Sequence, residues 1–209
     1  MTRIRKSPEE RRQEIMEAAF KMFASKGYDK TDVSSICREI GIAKSTYFYH
    51  FSTKETVMES ILQKFANDFV AALREKCDGK TALEQLQLFL DAINQELPVE
   101  CMLDQIETPS DYKYFEYMWE KMLVEDLEPV LQAMFSLGIE EGSLHFSAEE
   151  IPERLRFLWS LADYLWQVPE NMTSDDISDK EMDIRYKIVS SQLNTLLGIK
   201  PGLLRLSMP

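Results

Sequence analysis

The sequence has few of the side chains that build metal sites and catalytic triads. It contains two histidines, His50 and His145, and three cysteines, Cys37, Cys77 and Cys101. The cysteines are odd in number and follow neither CxxC nor zinc-finger spacing, which argues against a disulfide framework and predicts reduced thiols. We expect no metal, no cofactor and no enzymatic activity, because the sequence offers no nucleophile–base–acid set and no glycine-rich phosphate loop.

Long apolar runs are also missing. The longest stretch without Asp, Glu, Lys or Arg is the twelve residues 188–199, well short of the roughly 20 residues that a membrane helix needs. The N-terminal residues are rich in charged side chains and lack the apolar segment of a secretory signal. We therefore expect a cytoplasmic protein with no membrane segment.

Glycine and proline are scarce as well, at seven and eight residues of 209, as expected of an ordinary folded chain. The helix-capping pattern Ser/Thr-x-x-Glu begins at Ser7, Ser52, Thr81, Ser147 and Ser178. Each copy precedes apolar residues spaced three and four apart, which is typical of helices. The sequence predicts an all-α fold of about nine helices, among them a long helix from about residue 52 to residue 76.

Charge is distributed unevenly along the chain, whose net charge is −12. Residues 1–54 contain eleven Lys and Arg against seven Asp and Glu, whereas residues 55–209 contain thirteen against twenty-nine. A nucleic acid must be neutralised by basic side chains. Only the N-terminal part of this chain is therefore suited to approach one.

The N-terminal part has the pattern of a helix-turn-helix. Two apolar stripes predict two helices, which end near Gly27 and Gly41, and a third short helix follows at about 44–51. We expect Tyr47, Phe48 and Phe51 to turn towards the first two helices, and the remaining side chains of the third helix to face outwards.

Residues 31–55, TDVSSICREIGIAKSTYFYHFSTKE, resemble the DNA-binding module of the tetracycline-repressor (TetR) family of bacterial transcriptional regulators. The matching residues are Thr31, Val33, Ile36, Gly41, Ile42, Lys44, Thr46, Phe51, Lys54 and Glu55. The similarity covers about residues 8–60. It implies a helix-turn-helix DNA-binding domain at residues 1–51, joined by the long helix to a helical effector-binding and dimerisation domain at residues 52–209.

The resemblance also implies a function, that of a ligand-responsive regulator, expected to be a repressor. Such a protein binds a palindromic operator in double-stranded DNA as a homodimer, through the helix at 44–51. The implied DNA-binding residues are Thr31, Ser34, Lys44, Ser45, Thr46, Tyr49, His50 and Lys54. Phe48 stands where the family usually has Tyr, and Ser34 where many members have Arg. These departures bear on which operator sequence is bound and leave the class of protein unchanged.

Large or flexible side chains are frequent in the middle helices, and the resemblance implies that the family's effector pocket is built there. Such side chains suit an adaptable site for a hydrophobic small molecule. The alternative is that they form an ordinary core. The candidate ligand-binding residues are Phe65, Phe69, Phe89, Met102, Phe115, Met118, Trp119, Met122 and Phe135.

Two consecutive helices near the C-terminal end have apolar residues at coiled-coil spacing. The resemblance implies that these helices pair with those of a second subunit in a four-helix bundle. The alternative is that one helix packs on the other within the chain. The predicted dimer-interface residues are Ile151, Leu155, Leu158, Ala162, Leu165, Met182, Tyr186, Val189, Leu193 and Leu196.

A protein-interaction module with a degenerate helix-turn-helix that no longer binds DNA is the main alternative to a regulator. The net charge of −12 favours it, as does Ser34 at a position where many members have Arg. Binding to DNA fragments at two salt concentrations would distinguish them. A regulator should be retained specifically and lose affinity steeply as salt rises, whereas the interaction module should not be retained.

Overall fold

The computed structural model describes residues 6–95, 98–167 and 177–206, except the side chains of Pro98, Glu100, Cys101 and Trp166. Within these residues the regular structure is helical, which confirms the all-α fold. The helices are α1 (Pro8–Lys26), α2 (Val33–Glu39), α3 (Lys44–His50), α4 (Lys54–Cys77), α5 (Ala82–Ile93), α6 (Pro98–Leu103), α7 (Pro109–Glu140), α8 (Ile151–Trp166) and α9 (Asp179–Leu196). A single 3-10 turn, Ala148–Glu150, precedes α8.

Most of the predicted helix starts are confirmed. At α1 the Ser7 hydroxyl accepts a hydrogen bond from the N–H of Glu10, and the Glu10 carboxylate accepts one from the N–H of Ser7. The prediction at Ser52 was wrong by one residue, because Thr53 caps α4. The N–H of Thr56 donates to the Thr53 hydroxyl at 3.2 Å, and the N–H of Thr53 donates back to the Thr56 hydroxyl.

The longest of the helices is α7, which is one continuous helix of 32 residues. It continues through Pro129, which lacks the N–H that would bond to the preceding turn. Leu127, Val130 and Leu131 around the proline are buried. Their packing offsets the missing hydrogen bond, and the helix does not break.

The described residues form two compact units. Unit 1 runs from α1 to Phe69 in α4 and also includes α6 and α7 as far as Glu125. Unit 2 contains Val70–Gln95 and everything from Asp126 onwards. This division differs from the sequence-based boundary at residue 51, because α6 packs against α1 and residues near the start of α7 join the core of unit 1.

Unit 2 is built around the pair α8 and α9, which pack against each other. Leu155 of α8 and Leu193 of α9 are almost completely buried. Tyr186 of α9 donates a 2.6 Å hydrogen bond to the side-chain oxygen of Asn94, which follows α5. Among the described helices none is long and apolar enough to cross a membrane.

Candidate nucleic-acid interface

The turn from α2 into α3 is fixed by local hydrogen bonds and by one glycine. The Asp32 carboxylate accepts a 2.7 Å hydrogen bond from the N–H of Ser35 at the start of α2, and this bond holds the pKa of Asp32 below its usual value. Gly41 has a φ of +66°, a region that residues with a Cβ rarely adopt. The N–H of Ile42 then donates to the carbonyl of Cys37 at 3.0 Å. The chain therefore turns sharply and re-enters helix at Lys44.

The inner face of α3 is a pair of buried rings. Tyr47 is 0% exposed and Phe51 is 3% exposed, and burial raises the pKa of the Tyr47 phenol. The Tyr47 hydroxyl donates a 3.2 Å hydrogen bond to the carbonyl of Thr53, just before α4. A helix of seven residues is unstable in isolation. These contacts anchor α3 to the rest of unit 1.

The outer face of α3 presents polar side chains to solvent. Lys44, Ser45 and Tyr49 are exposed, and Thr46 and His50 are partly exposed. Ammonium, hydroxyl and phenol groups are donors that suit DNA phosphates and base edges. The structure thus brings five of the eight predicted DNA-binding residues together on one short helix.

Phe48 does not lie where the sequence pattern predicted. It was expected to turn inwards with Tyr47 and Phe51, but it is 52% exposed. The reason is geometric, because two helical residues in sequence point about 100° apart, and the core beside α3 takes Tyr47. Phe48 therefore lies on the outer face, one turn after Lys44.

The structure also corrects the prediction for Thr31. This residue is only 1% exposed, and its hydroxyl donates a 2.8 Å hydrogen bond to the carbonyl of Gly27 at the end of α1. The hydroxyl expected at a phosphate therefore closes the α1–α2 turn instead. Ser34, in the first turn of α2, is partly exposed.

Lys54, at the start of α4, has its ammonium group turned towards the α1–α2 turn. The nitrogen donates to the carbonyl of Tyr28 at 2.9 Å and lies 3.8 Å from the centre of the Tyr28 ring. The side chain is partly buried. In this structure Lys54 anchors α4, and its role at a phosphate remains a prediction.

Arg12 of α1 is a residue of the site that the sequence reasoning missed. Its guanidinium donates to the carbonyl of His50, the last residue of α3, at 3.2 Å and to the hydroxyl of Ser60 in α4 at 2.8 Å. The same group lies 4.2 Å from the centre of the Phe51 ring. One side chain therefore connects α1, α3 and α4. A signal was available, since Arg12 lies three residues before the buried Ile15 on the apolar face of α1.

Tyr28 connects this module to α7 within unit 1. Its ring is 1% exposed and lies 5.1 Å, centre to centre, from both Phe23 and Phe115. Its hydroxyl donates a 3.2 Å hydrogen bond to Glu55, and burial raises its pKa strongly. Phe115 belongs to α7, so the helix-turn-helix shares one core with that helix.

The nine predicted ligand-binding residues are not all in one unit. Phe65, Phe69, Met102, Phe115, Met118, Trp119 and Met122 lie in unit 1, and Phe89 and Phe135 lie in unit 2. Of the unit 1 residues, Met102, Phe115 and Trp119 are buried in the core, with Phe65, Met118 and Met122 packed against it. In unit 2, a hollow of about 380 Å³ is lined by Cys77, Gln85 and Val130 among others, and by none of the nine.

The predicted dimer stripe is largely occupied within the chain. Eight of its ten residues are buried, and Ala162 and Met182 are partly buried. Helices α8 and α9 pack against each other within the chain, which is the alternative that the sequence left open. Among the described side chains of the two helices, the exposed large apolar ones are instead Phe157, Tyr164, Ile184 and Ile188.

Comparison with known proteins shows that this helix-turn-helix resembles those of bacterial transcriptional regulators. Residues 15–61 match the model of the tetR family of bacterial regulatory proteins. The HTH-type transcriptional repressor KstR2 of Rhodococcus jostii (strain RHA1) is 27% identical over 71% of this chain and 74% of that protein. The HTH-type transcriptional regulator SAUSA300_2515 of Staphylococcus aureus (strain USA300) is 30% identical over 44% of this chain, and the match spans half the length of that relative.

Solved structures share the fold over almost the whole chain. A transcriptional regulator from Cytophaga hutchinsonii ATCC 33406 has a TM-score of 0.65 and 19% identity, covering 89% of this chain and 96% of that one. The fatty acid degradation regulator FadR from Bacillus halodurans has a TM-score of 0.58 and 22% identity, covering 93% of this chain and 97% of that one.

A helix-turn-helix with an open outer face is an element that docks on DNA, and the family and the relatives that this chain resembles are transcriptional regulators. Residues 15–61 form a helix-turn-helix of the tetR-family type, and over most of its length the chain is similar to a transcriptional repressor.

Proposed function

We propose that this regulator is a cytoplasmic repressor that binds a palindromic operator as a homodimer, with α3 of each copy in the DNA major groove. The observation that carries the proposal is the division of α3 into a buried inner face and an exposed outer one. Tyr47 and Phe51 hold the helix rigidly, while Lys44, Ser45 and Tyr49 remain free of the core. A positioned helix of this kind fits the groove of B-DNA.

The second copy is proposed to bind the exposed apolar side chains of α8 and α9. Phe157 and Tyr164 lie seven residues apart on α8, and Ile184 and Ile188 lie four apart on α9, so each pair follows one side of its helix. All four are between 41% and 47% exposed. Apolar surface of this kind on consecutive helices favours burial against another protein. Two-fold pairing through the same surface on both copies would present two copies of α3 to a palindrome.

The effector is proposed to be a hydrophobic small molecule that enters unit 1 beside Met118 and Met122. Methionine side chains rearrange at low cost, and both pack against a core that contains Phe115. Phe115 contacts Tyr28, whose carbonyl accepts the hydrogen bond from Lys54 at the start of α4. A ligand that moves α7 would therefore also move α4 and α3. Operator affinity would fall by the factor by which the ligand binds this moved arrangement more tightly than the DNA-binding arrangement.

DNA binding by full-length protein tests the proposal. DNA selected from genomic fragments should bind with an affinity that falls steeply as salt rises, because each phosphate contact releases counterions. Lys44→Ala and Tyr49→Ala should weaken this binding and leave the oligomeric state unchanged. Absence of any salt-sensitive, sequence-specific retention would contradict the proposal and would favour an interaction module with a degenerate helix-turn-helix.

A further inference from the structure

Phe48 is an apolar ring in the middle of a surface that is otherwise polar. It exposes 52% of its surface, and Lys44, Ser45 and Tyr49 around it are also exposed. At about 100° per residue, Phe48 and Ser45 fall at the centre of the exposed arc of α3, with Lys44 and Tyr49 at its edges. A partner that covers the exposed face of α3 therefore contacts the Phe48 ring.

The ring is held by a rigid neighbour. Phe48 and Tyr47 are nearly perpendicular, at 84°, with their centres 5.5 Å apart, an arrangement that aromatic pairs favour. Tyr47 is itself completely buried and hydrogen-bonded to the carbonyl of Thr53. The Phe48 ring thus contacts a fixed neighbour, and this contact reduces the side-chain freedom that is lost when a partner binds.

A phenyl ring can recognise only part of the chemistry in the major groove. It has no hydroxyl with which to bind a phosphate, and no donor or acceptor for the polar edges of the bases. The one apolar group on the floor of the groove is the 5-methyl group of thymine, and contact with it distinguishes thymine from the other bases. The neighbouring Lys44, Ser45 and Tyr49 supply the polar contacts that the ring lacks.

We propose that Phe48 is a specificity-determining residue that contacts a thymine methyl group, so that each half of the operator requires an A·T pair at the position beneath the ring. This proposal rests on the proposed docking of α3 in the major groove. It also assigns a role to a side chain that the sequence pattern placed in the core.

Removal of single methyl groups from DNA tests the contact directly. The full-length protein first selects its site from a random DNA pool, and each thymine of that site is then replaced by deoxyuridine, which lacks the methyl group. The replacements are made one at a time, and in each half-site one of them should weaken binding about fourfold. This is the value for burying one apolar carbon. The other replacements should have little effect.

Variants connect the methyl group to the ring. Phe48→Ala should weaken binding to the thymine site and make it insensitive to the deoxyuridine replacement, whereas Phe48→Leu should keep part of that sensitivity. Tyr117→Ala is the matched control, because Tyr117 is an aromatic residue of α7 with 60% exposure. This control should behave as the wild type on both DNAs.

The outcomes separate the two proposals. If Lys44→Ala and Tyr49→Ala weaken binding but no deoxyuridine replacement does, Phe48 does not read a methyl group and the docking of α3 stands. A deoxyuridine effect that persists in Phe48→Ala also overturns the inference, because another residue then reads the methyl. If none of the α3 variants changes binding, the docking itself is wrong.

Discussion

The carboxylate of Asp29 accepts a 2.5 Å hydrogen bond from the hydroxyl of Thr108, which lies 79 residues further along the chain. Its other oxygen accepts hydrogen bonds from the N–H groups of Glu107 and Thr108, at 2.8 and 3.3 Å. Asp29 belongs to the α1–α2 turn, and Thr108 directly precedes α7. The turn that orients the helix-turn-helix is therefore bonded to the helix that contains four of the proposed ligand-binding residues of unit 1.

Loss of this connection is expected to destabilise the protein. Asp29→Asn should lower the free energy of unfolding by about 1 to 2 kcal/mol, because it weakens three hydrogen bonds to a charged acceptor, and Thr108→Val by about 1 kcal/mol. The two effects should not add, since both variants break the same bond. Urea unfolding of the two single variants and the double variant measures the coupling. Additive losses would show that the two residues act independently.

Acid should remove the contribution of Asp29. Hydrogen bonds from the Thr108 hydroxyl, and then from the two N–H groups, hold the pKa of this carboxyl below its usual value. A carboxyl with a lowered folded-state pKa stabilises the fold above its unfolded pKa of about 3.9, and this stability is lost as the pH falls through the folded value. The difference in urea midpoint between wild type and Asp29→Asn should therefore be constant near neutral pH and shrink below about pH 4. A difference that grows with acid would contradict this assignment.

Arg12 is expected to position α3 without touching DNA. Arg12→Ala removes the donors to His50 and Ser60, and operator affinity should fall about tenfold, as expected for about 1.4 kcal/mol of lost positioning. The dependence of affinity on salt should stay the same, because no phosphate contact is lost. Arg12→Lys should restore only part of the affinity, since an ammonium group lacks the planar fork of the guanidinium. A reduced salt dependence in Arg12→Ala would identify Arg12 as a phosphate ligand instead.

Lys44 should show the opposite pattern. Lys44→Ala should weaken binding similarly on all DNA sequences and reduce the slope of log affinity against log salt by about one. Lys113→Ala is the control, because Lys113 is equally a surface lysine but belongs to α7. Titrations at several salt concentrations give both slopes. Equal slopes for wild type and Lys44→Ala would remove Lys44 from the interface.

The exposed stripe on α9 should control dimerisation. Ile188→Glu places a carboxylate where the proposed interface excludes water, so the dimer dissociation constant should rise at least a hundredfold, or about 3 kcal/mol. Tyr117→Glu introduces the same charge at an exposed residue of unit 1 and should leave the dimer intact. Sedimentation velocity over a range of concentrations distinguishes the two. An Ile188→Glu protein that remains dimeric would place the interface elsewhere.

Local features of the fold were predictable because local sequence causes them. Ser7 and Glu10 cap α1 through side chains three residues apart, and Gly41 supplies the positive φ that the turn before α3 requires. Neither feature depends on distant parts of the chain. The same holds for the apolar spacing that identified α1, α2 and α9.

Predictions failed where the identity of the neighbour mattered. Phe48 and Tyr47 are both aromatic, and only the position of the core beside α3 decides which one is buried. Thr31 was expected at DNA, but Gly27 lies close enough to accept its hydroxyl hydrogen. The apolar stripe that was predicted as the interface with a second subunit is largely buried within the chain, where α8 packs against α9.

The sequence by itself indicated the class of protein, because Gly41, Lys44, Thr46 and Phe51 match the pattern of the TetR family. The apolar stripes that end near Gly27 and Gly41 also predicted the helix-turn-helix, through short-range geometry. It also determined where most helices begin. Only the tertiary structure decided which side of each helix remains open, and therefore that Phe48 is exposed, that Arg12 connects three helices, and that Asp29 bonds to Thr108. The physical reason is that burial and long-range hydrogen bonds depend on residues far apart in the chain, whose proximity no local pattern encodes.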